Sequence, residues 1–350
     1  MKRNFISVLA VLMLIGLLGL AEMSLAVEGT WTKKADMPTA RWSLSTSAVG
    51  GKIYAIGGIG GPKKVEEYDP ATDTWTRKAD MPTGRVFLAT SLVDGKIYAI
   101  GGATNWPGGT MLATVEEYDP ATDTWTQKAD MPAPRDALAA SAVNRRIYAI
   151  GGGERRGPFS TVEEYDPVTD TWTKKADMPT ARAFLFTSVV NGKIYALGGS
   201  QFAAPAFSTV EEYDPVTDTW TKKADMTARR TSSSSVVDEK IYAFGGGTSQ
   251  GGVPLSTLFQ YEPATDTWIA KDDMPVRMGG MDTSVVDDRI YVIGGTSVPY
   301  PYNSRLSTVW EYDPGSVPVP PEEADPVEEA ASAVESQGKL IMLWGKIRSE

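Results

Sequence analysis

The sequence predicts an all-β fold: a six-bladed β-propeller in which each blade is a four-stranded antiparallel sheet. Three observations carry this reading. Trp31, Trp75, Trp125, Trp172, Trp220 and Trp268 recur at intervals of 44, 50, 47, 48 and 48 residues. A Gly-Gly pair recurs in phase with them, beginning at Gly57, Gly101, Gly151, Gly198, Gly245 and Gly294. The array is also cut out of phase, opening on a lone Trp-strand at Trp31 and ending at Trp310-Glu311-Tyr312-Asp313-Pro314 with no Trp-strand after it. A unit of this length cannot bury both faces of its own sheet, so neighbours must stack, and closing the stack into a ring removes its exposed ends. The last unit lacks an outer strand and the N-terminus carries a spare one. Pairing the two inside one blade closes the ring.

Within each repeat the segments follow in order. Residues 172–182, WTKKADMPTAR, show the phrase that each Trp opens. An apolar stretch and a tight turn come next, and Asn191-Gly192 and Asp94-Gly95 suit a two-residue hairpin that needs positive φ. Then comes a strand rich in β-formers, such as KIYAIGG, bounded by glycine. A loop of variable length leads to VEEYDP, and Asp-Pro-x-Thr-Asp-Thr, as in residues 119–124, places Asp and Pro where a type I turn wants them. The recurring Trp75, Tyr68 and their equivalents read as packing between blades, and the recurring Asp69 and Asp73 read as turn caps rather than calcium ligands.

The Gly-Gly pair, the Tyr beyond the variable loop and the Trp seven residues after that Tyr resemble the kelch motif. Six copies in phase span residues 31–314. The resemblance implies the propeller and, most often, a binding role. Two kelch enzymes bear comparison. Galactose oxidase-like copper enzymes need imidazole ligands and a Cys-linked Tyr, and this chain has neither His nor Cys. Exported kelch proteins similar to sialic-acid mutarotases need only proton transfer and carboxylate clamping, which here falls to a Glu or Tyr among Arg residues. The variable loops are almost free of carboxylates, Glu154 being the exception.

Composition narrows the rest. The chain has 350 residues, 34 Gly, 23 Pro and a formal net charge of −10, so nothing provides the basic footprint of a nucleic-acid binder. Without Cys or His there is no disulfide framework, no thiolate or imidazole metal site and no Ser-His-Asp system, and no cofactor is expected. Residues 1–26 read as a signal peptide: Lys2 and Arg3, an apolar run over 5–20, then Ser24-Leu25-Ala26 for cleavage. The expected location is therefore outside the cytoplasm (periplasm, cell surface or medium), with no membrane span after cleavage. Residues 27–314 form the propeller. Residues 315–350 are a Pro-rich spacer, an acidic stretch and an apolar-basic end, KLIMLWGKIR, too short to span a membrane and read as a docking or anchoring tail.

Antiparallel order sorts the connections onto two faces. One carries short turns that are nearly identical in every repeat, and the other carries the variable loops and the inter-blade links. Loops with aromatics and Arg on a rigid scaffold are where binding energy concentrates. The candidates there are Trp106, Arg155, Arg156, Phe202, Tyr300, Tyr302 and Arg305. The links add Arg41, Arg85, Arg135, Arg182, Arg229 and Arg277, with Arg230 doubling the fifth. A ring of guanidinium groups at a channel mouth would hold a carboxylate or an acidic peptide, as Arg residues near this point do in kelch domains that bind acidic peptides. Repetition in every blade argues instead for a structural role, with the Glu pairs Glu66-Glu67, Glu116-Glu117, Glu163-Glu164 and Glu211-Glu212 as partners. Blades five and six break the pattern: Phe259-Gln260 replaces the Glu pair, Met278 takes the aligned Arg position and Trp310 replaces a Glu. The leading reading is a non-catalytic module that binds a protein or glycan through its variable loops. A sugar mutarotase and an architectural unit of a surface assembly are the alternatives.

Overall fold

The structure is a computed structural model that describes residues 29–154, 157–201, 205–227, 231–247, 252–299 and 304–315. The leader-like segment 1–26 and residues 316–350 lie outside the described residues. The compact unit Glu28–Pro314 is a six-bladed propeller built from strands, with no helix among the described residues. Blade one, from the axis outward, is Ser45–Val49, Lys52–Ile56, Val65–Asp69 and Thr74–Arg77, and the next four blades repeat this order. Blade six takes Asp282–Val286, Arg289–Ile293 and Val309–Asp313 from the end of the array and Thr30–Lys34 from its start. The register pairs Trp31 with Tyr312 and Lys34 with Val309, so the ring closes as the sequence predicts.

Local chemistry explains each turn. All six inner hairpins place both central residues at positive φ: Asp94 at 50° and Gly95 at 75° in blade two, Asn191 at 51° and Gly192 at 74° in blade four. Blades three, five and six do so without glycine in the second place, using Arg145, Glu239 and Asp288. The Gly-Gly pair has a different cause. A Cβ on Gly57 would lie 2.7 Å from the carbonyl oxygen of Arg85 in the next blade, and the Gly58 amide donates to that same oxygen at 2.9 Å. Glycine is needed there because two backbones meet.

The core is six clusters, each between successive blades; the one joining blades one and two holds Ile56, Val65, Met81, Leu88, Ile97 and Tyr118. A polar latch lies over five of the six clusters. The Tyr68 hydroxyl donates to Asp73 at 2.6 Å, and the same carboxylate accepts the amide of Ala35 from the neighbouring blade at 2.8 Å. Trp75 Nε1 donates to the Ala35 carbonyl at 3.0 Å. Asp69, by contrast, caps its own turn through the Ala71 amide. So one recurring Asp is the expected turn cap, and the other is a cross-blade acceptor held in the left-handed region, φ 53°, which Asp tolerates. The latch repeats at Asp123, Asp170, Asp218 and Asp266. The hydroxyl of Tyr165 beside Asp170 holds that carboxyl below the usual range.

The closing blade is the exception. Gly29 stands where the latch Asp would be, and Trp31 Nε1 and the Tyr312 hydroxyl are buried without a partner. A hydrogen bond to a charged acceptor contributes roughly 1.5–3 kcal/mol, whereas an unpaired buried hydroxyl contributes a penalty. Tyr68→Phe is therefore expected to cost about 1–2 kcal/mol, and Tyr312→Phe to be neutral or stabilising. Urea unfolding of the two variants checks this, and equal losses would remove the latch from the account.

Candidate functional site

The four described Arg residues with a Glu partner do not ring the channel mouth. Arg41, Arg85, Arg135 and Arg182 are among the most deeply buried side chains, 0–1 % exposed. Arg41 Nη1 donates to the carbonyls of Gly57 and Lys64 at 2.9 and 3.0 Å, the two ends of the blade-one loop, and Nη2 donates to Glu66 at 2.8 Å. Arg182 repeats this with Gly198, Thr209 and Glu211. Arg85 pairs with Glu116 at 2.5 Å and Arg135 pairs with Glu163. Burial pushes the Arg41 guanidinium down to about 10, against the opposing pull of Glu66. The backbone of the same residue reaches the previous blade: the Arg85 amide donates to Pro62 and its carbonyl accepts from Gly58. Each Arg thus fixes the stem of its own loop and abuts the loop before it.

The remaining candidates divide. Arg277 is exposed, and Met278, wholly buried, fills the Arg slot of blade six. Arg305 is exposed on the blade-six loop, with its aliphatic stem against Gly60 of blade one. Trp106 is 36 % exposed and stacks edge-on against Phe87, ring centroids 5.4 Å apart. Arg155, Arg156, Phe202, Arg229, Arg230, Tyr300 and Tyr302 lie outside the described residues.

Three groups that the sequence reading passed over shape the centre. Phe87 is the hub of an aromatic apron, touching Trp42 and Phe184 at 5.7 Å each as well as Trp106. A chain of backbone bonds fixes this rim: Phe87 donates to Ser43, Ala137 to Phe87 and Phe184 to Ala137, all four residues at positive φ. Beneath it, a cavity of about 240 Å³ lies among the inner strands, bordered by Ser45, Thr90, Thr187, Ser233 and Asp282. A belt of hydroxyls ties these strands together: Ser47 donates to Thr90 and Ser284 to Thr46.

Asp282 is the one carboxylate among the six equivalent inner positions, Ser45, Ala89, Ala139, Phe186, Ser233 and Asp282. It accepts from Ser233 at 2.7 Å and from the Thr46 amide at 2.7 Å, so it joins blades five, six and one. It keeps some exposure to the cavity, yet the surrounding protein desolvates it and raises its pKa despite those donors. Asp136, after Arg135 on the loop side, is 5 % exposed, and its Oδ1 has no partner. Burial pushes its carboxyl up to about 6. Lining up the six repeats would have flagged both, since each is the lone carboxylate at its position. Among the described residues no group of three or more acidic side chains is placed to hold a metal ion.

The Kelch motif matches residues 43–82, 84–132, 228–275 and 278–316, and the KLHDC2/KLHL20/DRC7 Kelch-repeats domain matches 126–246. The chain belongs to the kelch-repeat family. No curated protein matches this kelch chain in sequence. In fold it is similar to the solved structure of YjhT, with a TM-score of 0.68 and 16 % identity over 79 % of this chain and 96 % of that one. At that identity the likeness concerns the propeller alone.

Two predictions follow from the buried charges. Arg85→Met leaves Glu116 buried and uncompensated and is expected to cost about 3–5 kcal/mol. Adding Glu116→Trp, the combination blade six carries as Met278 and Trp310, is expected to restore much of that loss. A double-mutant cycle by denaturant unfolding reads the coupling, and a neutral Arg85→Met would return this Arg to the ligand-binding candidates. For Asp136 the folded-state pKa is raised, so its contribution to stability is present below about pH 4 and lost as pH rises through about 6. Asp136→Asn should therefore match the wild type at pH 4 and exceed it by up to about 3 kcal/mol at pH 7.5. A gain independent of pH would contradict this.

Proposed function

We propose that this kelch propeller is a non-catalytic binding module outside the cytoplasm that engages a protein through its variable-loop face. Kelch propellers typically bind proteins. The observation that carries the choice of face is the contrast between the two sides. On the turn side the recurring Asp, Tyr and Trp groups are spent on latches between blades. On the loop side the apron of Trp42, Phe87 and Trp106 stands half-exposed on stems that buried Arg residues hold rigid. Rigid, partly exposed aromatics are the usual anchors of an interface, each contributing about 2 kcal/mol or more when central. A glycan would use the same aromatic surface. The location rests on the leader-like residues 1–26.

The cavity around Asp282 does not favour the mutarotase alternative. No Arg or Lys is among the described residues lining it, so an acidic sugar would find no counter-charge there. The test uses the full chain expressed from its own start. Recovery outside the cytoplasm with Val27 as first residue is expected. A photo-crosslinker at position 106 should then capture a discrete partner that one at position 216, on a turn tip, does not. Trp106→Ala should weaken that association about tenfold or more. Equal capture from both positions, or from 216 alone, would overturn the choice of face.

A further inference from the structure

The outer strand of every blade is an open sheet edge, and an open edge templates pairing with another chain unless charge guards it. At the same place five of the six edges carry two polar residues, at least one of them Lys. After the Trp and a Thr, the outer strands carry Lys33-Lys34, Arg77-Lys78, Gln127-Lys128, Lys174-Lys175 and Lys222-Lys223. Blade five reads Trp268-Ile269-Ala270-Lys271. Both the Thr and the first guarding residue have become apolar. Ile269 is 51 % exposed and Ala270 is exposed, on a strand that among the described residues is bonded on one side only, to Leu258–Glu262. Val253 and Val276, 52 % and 37 % exposed, belong to the same blade and to the link that leaves it. Apart from Trp106 and two valines at turn tips, the exposed large apolar side chains among the described residues are these three.

We propose that the outer edge of blade five is a homodimer interface, in which Thr267–Lys271 pairs antiparallel with the same strand of a second copy. Charge argues for self-pairing. An antiparallel two-fold centred on Ile269 sets Ile269 against Ile269, Trp268 against Ala270 and Thr267 against Lys271, with no like charges opposed. The same operation centred on Thr221 in blade four sets Lys222 of each copy diagonally across from its counterpart, within reach of long side chains, where two ammonium groups repel. The interface is isologous, so it closes at two copies. Five paired residues a side with a few flanking apolar contacts make a small interface, so the dimer is weak and concentration-dependent.

Sedimentation velocity of the full chain over a concentration series up to about 100 µM tests this, a range suited to small interfaces. A monomer–dimer equilibrium is expected. The double substitution Ile269→Thr and Ala270→Lys, which restores the sequence of blade four, should shift the dissociation constant upward by about tenfold or more. Both positions are exposed, so the fold should tolerate the change. The reciprocal pair Thr221→Ile and Lys222→Ala opens a second edge and should add association beyond the dimer. A monomer throughout the series overturns the proposal, as does a dimer that the guarded variant leaves unchanged. Association only with a different protein would also overturn it, by making the edge a site for that partner's strand. The result does not depend on the loop-face reading, which crosslinking at position 106 tests separately.

Discussion

Everything in this molecule depends on closing a circle of sheets with a strand from the other end of the chain. A four-stranded blade has two apolar faces and can bury neither within its own 44–50 residues. Each face is buried only by the next blade, so the stack is stable only when the last blade meets the first. Thr30–Lys34 makes that junction by pairing with Val309–Asp313. The same junction is the least satisfied in the ring: the latch carboxylate is missing at Gly29, and Trp31, Trp310 and Tyr312 keep buried donors without acceptors. The strand that comes from a distant part of the sequence thus lacks the latch, and its hold rests on ladder bonds, packing and the Lys34–Glu311 ion pair.

Closure also divides labour between the two faces. On the turn side five of the six blades present the same acceptor to a neighbour, so the Pro-x-Thr-Asp-Thr phrase hardly varies among them. On the loop side the requirement stops at the stems. Once Arg41 has taken up the carbonyls of Gly57 and Lys64, and backbone bonds have tied Gly58, Pro62 and Lys63 to the next blade, the side chains of the loop are left to vary. The result is a scaffold whose invariant parts are buried and whose free parts are gathered on one surface. Trp106 is the described aromatic of that free part, and it rests on Phe87 of the link beside it.

Much of this was legible in the sequence because the repeat is its own alignment. The Trp spacing gave the blade count, the truncated ends gave the closure, and Asn191-Gly192 gave a hairpin with the φ values found. The recurring Arg was ambiguous: spacing shows that it recurs, not which way its side chain turns. What decides is burial against Glu66 and the carbonyls, a tertiary fact. Asp73 was half-read for a similar reason. Its acceptor role serves Ala35, which lies 38 residues earlier and in a different blade, beyond the reach of local turn rules. Asp282 and Asp136 carry no local motif of their own, since they sit at the head of one inner strand and just before another, and only comparison across the six repeats sets them apart.

Blades five and six raise the question of whether a broken repeat means drift or function, and compensation offers a physical way to separate them. When Glu became Trp310 in blade six, the Arg that would have been stranded is Met278, so both members of a buried pair changed and the slot is filled by apolar packing. A change matched by its partner preserves the fold and needs no other explanation. Asp282 is different. It introduces a carboxylate among hydroxyls and small residues, its burial is unfavourable to its own charge, and no cation among the described residues lining the cavity relieves it. Ile269 and Ala270 likewise replace polar residues on one edge with exposed apolar ones and gain no cover among the described residues. Such uncompensated departures oppose the stability rules that the other four blades obey, and that is the pattern expected where something outside the repeat is being served. On that criterion the loop stems and latches are scaffold, and the inner head of blade six and the outer edge of blade five are where this propeller ceases to be generic.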